Sequence, residues 1–288
     1  MFGNAFWRHT IWFILLGITT LIEIAILLWK TGGRMFIIAL FLTICGLTFC
    51  FEMIILSYFK AYTYFPMIIP HMPPDDSIAG NLFSQFSVSA TAVLVALFRL
   101  RYYWYFVISA AYGIIEELFL QLGVYQHNWY QTWMTVALLP VLFWITQKVY
   151  DICFKPMWRY WRYVFVFFGL VTLHVHTIGW TLHLTGIRDY SEHLVPDKDR
   201  SIVILSGIYT LVLGIVMMFL YFSRINWKWK LPIILVLYIA VNISEQCGLI
   251  LFKDGWFLPA SSIFIWGMYF YTYLLDQMYN QVNKVCRG

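Results

Sequence analysis

Residues 203–222 of the chain read VILSGIYTLVLGIVMMFLYF, a run of twenty positions without one charged side chain. A helix of about 20 mostly apolar residues is long enough to cross the hydrocarbon core of a bilayer. Within that core every backbone amide needs a hydrogen bond inside its own segment, and an α-helix supplies it. The stretch therefore predicts a transmembrane helix.

Eight further stretches have the same character, so we expect an all-α, polytopic membrane bundle of about nine transmembrane helices. Turn-forming residues separate the stretches, as at Gly32-Gly33 and in the run 71–76, HMPPDD. Because the shorter stretches and the region 103–152 divide in more than one way, counts of eight and ten stay open. The nine predicted spans are 11–29, 35–58, 82–98, 102–122, 131–147, 163–185, 203–222, 231–252 and 257–275.

The composition of the 288-residue chain points the same way, with 61% hydrophobic and 11% charged residues. Soluble domains contain about 25% charged residues, so this chain has too few to cover a surface that faces water. The composition excludes intrinsic disorder, a coiled coil, a nucleic-acid-binding protein and a secreted disulfide scaffold. A P-loop, a Gly-x-Ser-x-Gly motif and a dinucleotide fingerprint are also absent. We expect membrane lipids as partners, and no nucleotide or other cofactor.

The basic residues predict the orientation of the chain. With nine spans, 13 of the 19 Lys and Arg residues fall in the loops on one side, and the other six fall on the opposite side. Loops rich in Lys and Arg stay in the cytoplasm. We therefore expect a multi-pass protein of the cell membrane, with its N-terminus outside and its C-terminus in the cytoplasm.

Two regions of the chain, 34–151 and 162–276, share an order of landmarks. Each begins with a basic residue and an apolar span, continues into a long outer loop with Pro-Asp, and later has a short basic inner loop with Trp. A glutamate then precedes Trp and an aromatic neighbour; the two copies are Glu117…Trp129-Tyr130 and Glu245…Trp256-Phe257. The pattern predicts two parallel four-helix repeats, preceded by an extra N-terminal helix in residues 1–33.

The segments 112–135 and 241–262, which carry this motif, resemble a small uncharacterised family of four-helix integral membrane proteins from spore-forming Bacilli and Clostridia. In that family a glutamate precedes the last loop, and Gly or Asn followed by Trp and an aromatic residue opens the final span. The resemblance implies a four-helix membrane unit, present here as two fused copies. The chain departs from the pattern by its second unit and its extra span, and the resemblance implies no activity.

Glutamates inside the predicted spans mark candidate functional residues, because a charged side chain at membrane depth costs about 2.5–3.5 kcal/mol to insert. Glu52, Glu116, Glu117 and Glu245 are predicted in the outer half of the membrane, and Glu23 in the inner half. This common depth predicts a polar cavity that opens outward. We expect Glu117 and Glu245 to face each other, with one of them protonated and able to carry a proton or bind a small cation. The alternative is a structural role, in which a protonated glutamate bonds a neighbouring helix.

Three histidines complete the candidate set: His174, His176 and His183. The last two are seven residues apart and share a helix face, so a metal site with a glutamate is one interpretation. Because the Glu-x-x-His and His-Glu-x-x-His motifs are absent, we favour interhelical hydrogen bonds and expect no metal. The five cysteines show no metal or disulfide spacing and are expected to be inert, buried thiols; they are Cys45, Cys50, Cys153, Cys247 and Cys286.

These features favour a transporter or binding protein with an outward-facing Glu/His cavity, because duplicated repeats with ionisable groups near the midplane are typical of transporters. They do not indicate catalytic residues. A structural or sensory membrane protein is the main alternative, and a membrane-embedded enzyme acting on a lipid or isoprenoid is the third. The pattern makes no prediction of the ligand or of the oligomeric state.

Overall fold

The computed structural model describes residues 4–153 and 159–285, and most of them are helical. The prediction of an all-α membrane bundle is confirmed. Seven helices within the described ranges are long and apolar enough to cross a membrane. Two further long helices, Tyr102–Gln121 and Phe257–Val285, occupy predicted spans but are not among these seven. The seven are Phe6–Lys30, Phe36–Tyr58, Pro73–Leu97, Thr132–Cys153, Tyr160–Leu184, Lys198–Phe222 and Trp227–Gln246.

The elements are numbered here in chain order. The first part of the chain contains α1 (Phe6–Lys30, π-helical over Phe6–Thr10), α2 (Phe36–Tyr58, π-helical over Met53–Tyr58), β1 (Tyr62–Tyr64), α3 (Pro73–Leu97), α4 (Tyr102–Gln121), β2 (Tyr125–His127) and α5 (Thr132–Cys153). The second part contains α6 (Arg159–His174, continuing through a π-helical turn Val175–Gly179 into Trp180–Leu184), β3 (Arg188–Tyr190), α7 (Lys198–Phe222), α8 (Trp227–Gln246), β4 (Ile250–Phe252) and α9 (Phe257–Val285).

The chain divides into two compact units. Unit 1 is Met1–Met157 with Gln281–Gly288, and unit 2 is Trp158–Asn280. The predicted repeat 34–151 lies within unit 1, and the predicted repeat 162–276 lies within unit 2. Three residues counted in the sequence analysis lie outside the described residues: Lys155, Cys286 and Arg287.

After α1, unit 1 contains the same order of elements as unit 2: helix, strand, two helices, strand, helix. The spacing is also the same, because α3 and α7 start at 73 and 198, α4 and α8 at 102 and 227, and β2 and β4 at 125 and 250. Each of these shifts is 125 residues. The common spacing supports the duplication, which stays a prediction. A constant shift of 125 residues matches Glu117 with Asn242 and Leu120 with Glu245. The motif in the sequence instead matches Glu117 with Glu245, which requires a gap of a few residues.

A short pair of strands closes one end of each unit, and the sequence analysis did not predict them. In unit 1, β1 pairs antiparallel with β2, so that Tyr62 lies opposite His127 and Tyr64 opposite Tyr125. In unit 2, β3 pairs antiparallel with β4, and Arg188 lies opposite Phe252. Each pairing brings the two connections that contain the strands to the same end of their unit.

Specific contacts hold the strand end of unit 1 in place. The carboxylate of Asp76 accepts hydrogen bonds from the backbone amides of residues 67, 68 and 69, at 3.0, 2.7 and 2.7 Å. The indole nitrogen of Trp129 donates to the carbonyl of Phe59 at 2.9 Å, and the side-chain amide of Asn128 donates to the carbonyl of Lys60 at 2.8 Å. The Asn-Trp pair of the sequence motif therefore fastens the loop after β2 to the segment before β1.

The described cysteines are free thiols. Cys45 and Cys153 are buried, as predicted, and Cys50 is half-buried. The prediction of a buried thiol is wrong for Cys247, which is exposed. It lies directly after α8, where the chain leaves the helix through Gly248 at a φ of 67°.

Candidate functional site

Unit 1 encloses a cavity of about 320 Å³ between its helices and the β1–β2 pair. About half of the residues that line it are leucine, isoleucine, valine or phenylalanine, including Leu47, Leu139 and Ile145. The others are tyrosine or polar side chains from all four helices α2–α5, the two strands and the loop after β2. Pockets for small molecules typically have about 300–1,000 Å³ and a mostly apolar wall with a few oriented polar groups. The cavity has this character, at the small end of the range.

Two carboxylates line the cavity: Glu52 of α2 and Glu116 of α4. The hydroxyl of Tyr62 donates a hydrogen bond to Glu52. One oxygen of Glu116 lies 2.7 Å from Nε2 of His127, and the other accepts a hydrogen bond from the hydroxyl of Thr135. Both carboxylates are thus oriented by a strand residue, Tyr62 on β1 and His127 on β2.

Four tyrosines surround the carboxylates: Tyr62, Tyr64, Tyr125 and Tyr130 all line the cavity. The ring of Tyr62 lies 5.3 Å from that of Tyr125 and 5.2 Å from that of Tyr130, while the rings of Tyr64 and Tyr125 are 4.8 Å apart. Burial, together with the carboxylate of Glu52, holds the pKa of Tyr62 well above its usual range. Burial, together with Glu116 and Glu52, raises the pKa of Tyr130 to about 12. These hydroxyls therefore stay protonated at neutral pH.

Gln85 of α3 adds an amide to the cavity wall. It is 4% exposed, and neither its side-chain oxygen nor its nitrogen has a hydrogen-bond partner among the described residues. Buried polar atoms in proteins nearly always have a partner, so an amide without one is available to a ligand. The cavity-lining residues in the described part of the chain include two carboxylates and no Lys, Arg or His.

Glu23 is linked to the cavity by a chain of hydroxyl groups. Thr91 donates to the Glu23 carboxylate at 2.6 Å and lies 2.8 Å from the hydroxyl of Tyr112. Tyr112 lines the cavity and also lies 3.0 Å from the hydroxyl of Ser87. Hydroxyl groups both donate and accept hydrogen bonds, so the series of hydroxyl groups from Tyr112 to Thr91 joins the cavity wall to the carboxylate of Glu23 on α1.

The structure brings only two of the seven predicted site residues to the cavity, Glu52 and Glu116. Glu117, the next residue of α4, is exposed and does not line the cavity, and it accepts a hydrogen bond from Thr132. Glu245 lies on α8 in unit 2. The pairing of Glu117 with Glu245 stays a prediction.

The three predicted histidines lie in unit 2 and make separate contacts. The ring of His174 packs edge-on against Phe264, with centroids 4.1 Å apart. Nδ1 of His176 lies 2.8 Å from the carbonyl oxygen of Thr172 on the same helix, and Nδ1 of His183 lies 3.0 Å from the carboxylate of Asp189. Within the described ranges, no group of three or more His, Cys, Asp or Glu side chains is placed to hold a metal ion.

The sequence analysis missed several groups at the cavity, chiefly His127 and the four tyrosines. One signal was present, because Tyr62-x-Tyr64 and Tyr125-x-His127 alternate with the period of two that a strand requires. A second signal is Gly123, because glycine readily adopts a positive φ and often marks the end of a helix. In the structure its φ is 70°, and the chain turns there after α4 so that β2 runs back toward Glu116. Gln85 had no comparable signal, because its position one helical turn after Asn81, the other amide of α3, does not reveal which side of the helix meets a cavity.

No family model, curated protein or solved structure matches this chain. The resemblance to the four-helix family of Bacilli and Clostridia stays a prediction. The function is therefore argued from the chemistry of the cavity in unit 1.

Proposed function

We propose that the protein is a membrane binding protein or transporter for a small organic cation, and that the cation binds in the cavity of unit 1. The observation that carries the proposal is the pair of carboxylates, Glu52 and Glu116, since the described residues that line the cavity include no Lys, Arg or His and the one basic contact to the pair is His127 on Glu116. An aromatic ring attracts a cation to its face, and four tyrosine rings lie beside the carboxylates. The apolar half of the lining residues suits a ligand with a hydrocarbon body.

Binding is tested with benzyltrimethylammonium as the probe, by calorimetric titration of the purified protein in detergent. The attraction between a carboxylate and an ammonium charge about 4–6 Å away is roughly 3–4 kcal/mol at an effective dielectric constant of about 20, so Glu52→Gln and Glu116→Gln are each expected to weaken binding about tenfold or more. Glu117→Gln is the matched control, because it changes the adjacent residue on the exposed side of the same helix. Equal affinity in all four proteins would contradict the proposal.

Proton coupling is the second part of the proposal, and it is supported by the hydroxyl chain from Tyr112 through Thr91 to Glu23. In liposomes, a pH gradient is expected to drive uptake of the labelled probe by the wild-type protein. Glu23→Gln removes the titrating group and is expected to stop this uptake while binding in detergent persists. Uptake that survives in this variant would remove Glu23 from the pathway.

A structural role for the glutamates is the second candidate. It is favoured by one observation, that Glu116 accepts a hydrogen bond from Thr135 and so joins α4 to α5. Glutamine keeps the shape and hydrogen-bonding capacity of a protonated carboxyl group, whereas alanine leaves the partners unpaired. If Glu116→Gln binds the probe normally and only Glu116→Ala is unstable, the structural role is correct.

The orientation belongs to the same proposal: the N-terminus outside, the C-terminus in the cytoplasm, and the strand end of each unit outside. Its support is the distribution of Lys and Arg among the loops. In a cysteine-free background, a cysteine at exposed His193 is expected to react with an impermeant maleimide in intact cells. A cysteine at exposed Arg101 is expected to react only after permeabilisation. The reverse pattern would invert the orientation.

A further inference from the structure

Unit 2 contains a buried arginine at its strand end. Arg188, the first residue of β3, is 2% exposed. Its guanidinium carbon lies 3.8 Å from the ring centre of Phe264 and 4.3 Å from that of Tyr209. The rings of Tyr190 and Phe252 follow at 5.0 and 5.9 Å. The guanidinium group is thus enclosed by four aromatic rings.

The rings attract the charge of Arg188 but do not satisfy its hydrogen-bond donors. Nε, Nη1 and Nη2 are all buried, and none of them has an acceptor among the described residues. A guanidinium group keeps its charge in proteins, and its five N–H groups lie in its own plane, whereas cation–π contacts use its faces. A buried cation in this state is costly unless an acceptor with negative charge reaches the N–H groups.

The nearest carboxylate along the chain does not supply that charge. Asp189 follows Arg188 in β3, but successive side chains of a strand point to opposite faces. The Asp189 carboxylate lies 3.0 Å from Nδ1 of His183. Because the described residues also provide no hydrogen-bond acceptor for Arg188, an anion from solution is a candidate for its counter-charge.

A second basic side chain packs on the same ring. His174 of α6 is completely buried, and its ring lies 4.1 Å from that of Phe264, which also contacts Arg188. Neither ring nitrogen of His174 has a hydrogen-bond partner among the described residues. A neutral imidazole still carries one N–H donor. Arg188 and His174 together thus present several unused donors around one phenyl ring.

We propose that Arg188 and His174 bind a small inorganic anion of the halide class inside unit 2. A halide needs only N–H donors, and Arg188 and His174 supply buried nitrogen atoms without a partner among the described residues. It has no further acceptor atoms that would need donors of their own, as a phosphate or carboxylate has. The proposal does not depend on the cation site of unit 1, because every residue in it belongs to unit 2.

The first test is the thermal unfolding midpoint of the protein in detergent, with sodium gluconate replaced stepwise by sodium bromide at constant ionic strength. A ligand that binds only the folded state stabilises it in proportion to the logarithm of the ligand concentration above Kd, so we expect the midpoint to rise by several degrees and to keep rising with each tenfold increase in bromide. Arg188→Met is expected to abolish the rise. Lys198→Gln is the control, because Lys198 is an exposed cation of the same unit that pairs with Glu192 at 2.8 Å.

A second measurement uses only the wild-type protein, in case Arg188→Met does not fold. Binding of chloride broadens its ³⁵Cl magnetic resonance line, and we expect added bromide to narrow the line again by displacement. Unfolding midpoints that are equal in bromide and gluconate, with no broadening of the line, would overturn the proposal. A midpoint that rises with phosphate but not with bromide would also overturn it, in favour of an oxyanion site.

Discussion

Units 1 and 2 contain matching helices and strands at matching intervals, but they place charge differently at their strand ends. In unit 1, Tyr62 lies opposite His127 and donates a hydrogen bond to Glu52. In unit 2, Arg188 occupies the matching strand position, opposite Phe252. By the same spacing, Val241 stands where Glu116 stands in unit 1. One unit therefore presents carboxylates to a cavity, while the other buries a cation of its own.

The difference also involves the size of the surrounding side chains. Ser84 and Leu139 line the cavity of unit 1. The positions 125 residues further on hold Tyr209 and Phe264, the two rings closest to the guanidinium group of Arg188. Larger side chains and an arginine occupy this region of unit 2. The comparison shows that two units with the same order of helices and strands enclose side chains of opposite charge when a few residues differ.

The largest predicted effect concerns two aspartates with the same spacing, Asp151 and Asp276. Asp276 accepts a hydrogen bond from Nε of Arg162 at 2.6 Å and another from Tyr221 at 3.0 Å, and its side chain is 9% exposed. Asp276→Ala leaves Arg162 without its buried partner, which typically costs about 3–5 kcal/mol. We expect a loss of this order in the free energy of unfolding, measured by titration with a denaturing detergent.

Asp151→Ala is the matched control for this prediction. Asp151 lies 3.3 Å from Arg99, whose side chain is 70% exposed. Exposed ion pairs contribute about 0–1 kcal/mol. Equal losses in the two variants would contradict the distinction between a buried and an exposed ion pair.

The next prediction concerns the approach of β1 to α3 in unit 1. A Cβ atom at Gly80 would lie 2.6 Å from Cβ of Tyr64, so Gly80→Ala has to displace the strand. Overpacking of this kind costs about 1–3 kcal/mol. We expect a lower thermal midpoint and weaker binding of benzyltrimethylammonium, because Tyr64 lines the cavity.

The control for Gly80 is Gly214, which lies in the matching helix of unit 2. A Cβ atom there would lie 3.5 Å from the Phe167 ring, an ordinary contact. Since alanine favours a helix over glycine by up to about 1 kcal/mol, Gly214→Ala is expected to be neutral or stabilising. A lower thermal midpoint for Gly214→Ala and an unchanged midpoint for Gly80→Ala would contradict the conclusion that the chain is packed more tightly at Gly80 than at Gly214.

A smaller effect is expected at alkaline pH. The pKa of Tyr130 is raised from 10.0 to about 12, mainly by burial and further by Glu116 and Glu52. The unfolded chain therefore loses this proton at a lower pH than the folded protein does. The stabilisation from neutral Tyr130 is fully present below pH 10 and is lost as the pH rises from about 10 to 12. Thermal midpoints over this range are expected to fall less steeply for Tyr130→Phe than for the wild type, and an identical slope would contradict the assignment.

The smallest effect is expected for the glutamates that the sequence analysis paired. Glu117→Gln changes an exposed side chain, so its effect on the free energy of unfolding is expected to stay within about 0.5 kcal/mol. Binding of benzyltrimethylammonium is expected to stay at the wild-type level in Glu117→Gln and in Glu245→Gln. Loss of binding or of pH-dependent uptake in both variants would instead support the pairing of Glu117 with Glu245.

The sequence was informative wherever a property depends on composition along one segment. Spans such as 203–222 could be predicted because the requirement for apolar side chains acts on every residue of a transmembrane helix. The duplication inferred from the order of landmarks in the two regions stays a prediction, which the common spacing of the helices and strands supports. The short strands were missed because three residues in a strand leave a weak pattern, and their stability comes from pairing with a distant segment.

The candidate site shows the limit of the same reasoning. The sequence by itself determined that the chain is a helical membrane protein, and it marked Glu52 and Glu116 as candidate site residues, because helix length and the cost of inserting a charge are local properties. Only the tertiary structure decided that Glu116 faces the cavity while Glu117 does not. Only the tertiary structure brought His127 to Glu116, and four aromatic rings around Arg188. Those contacts depend on how helices rotate about their axes and how strands pair, which is set by the packing of the whole unit and not by any one segment.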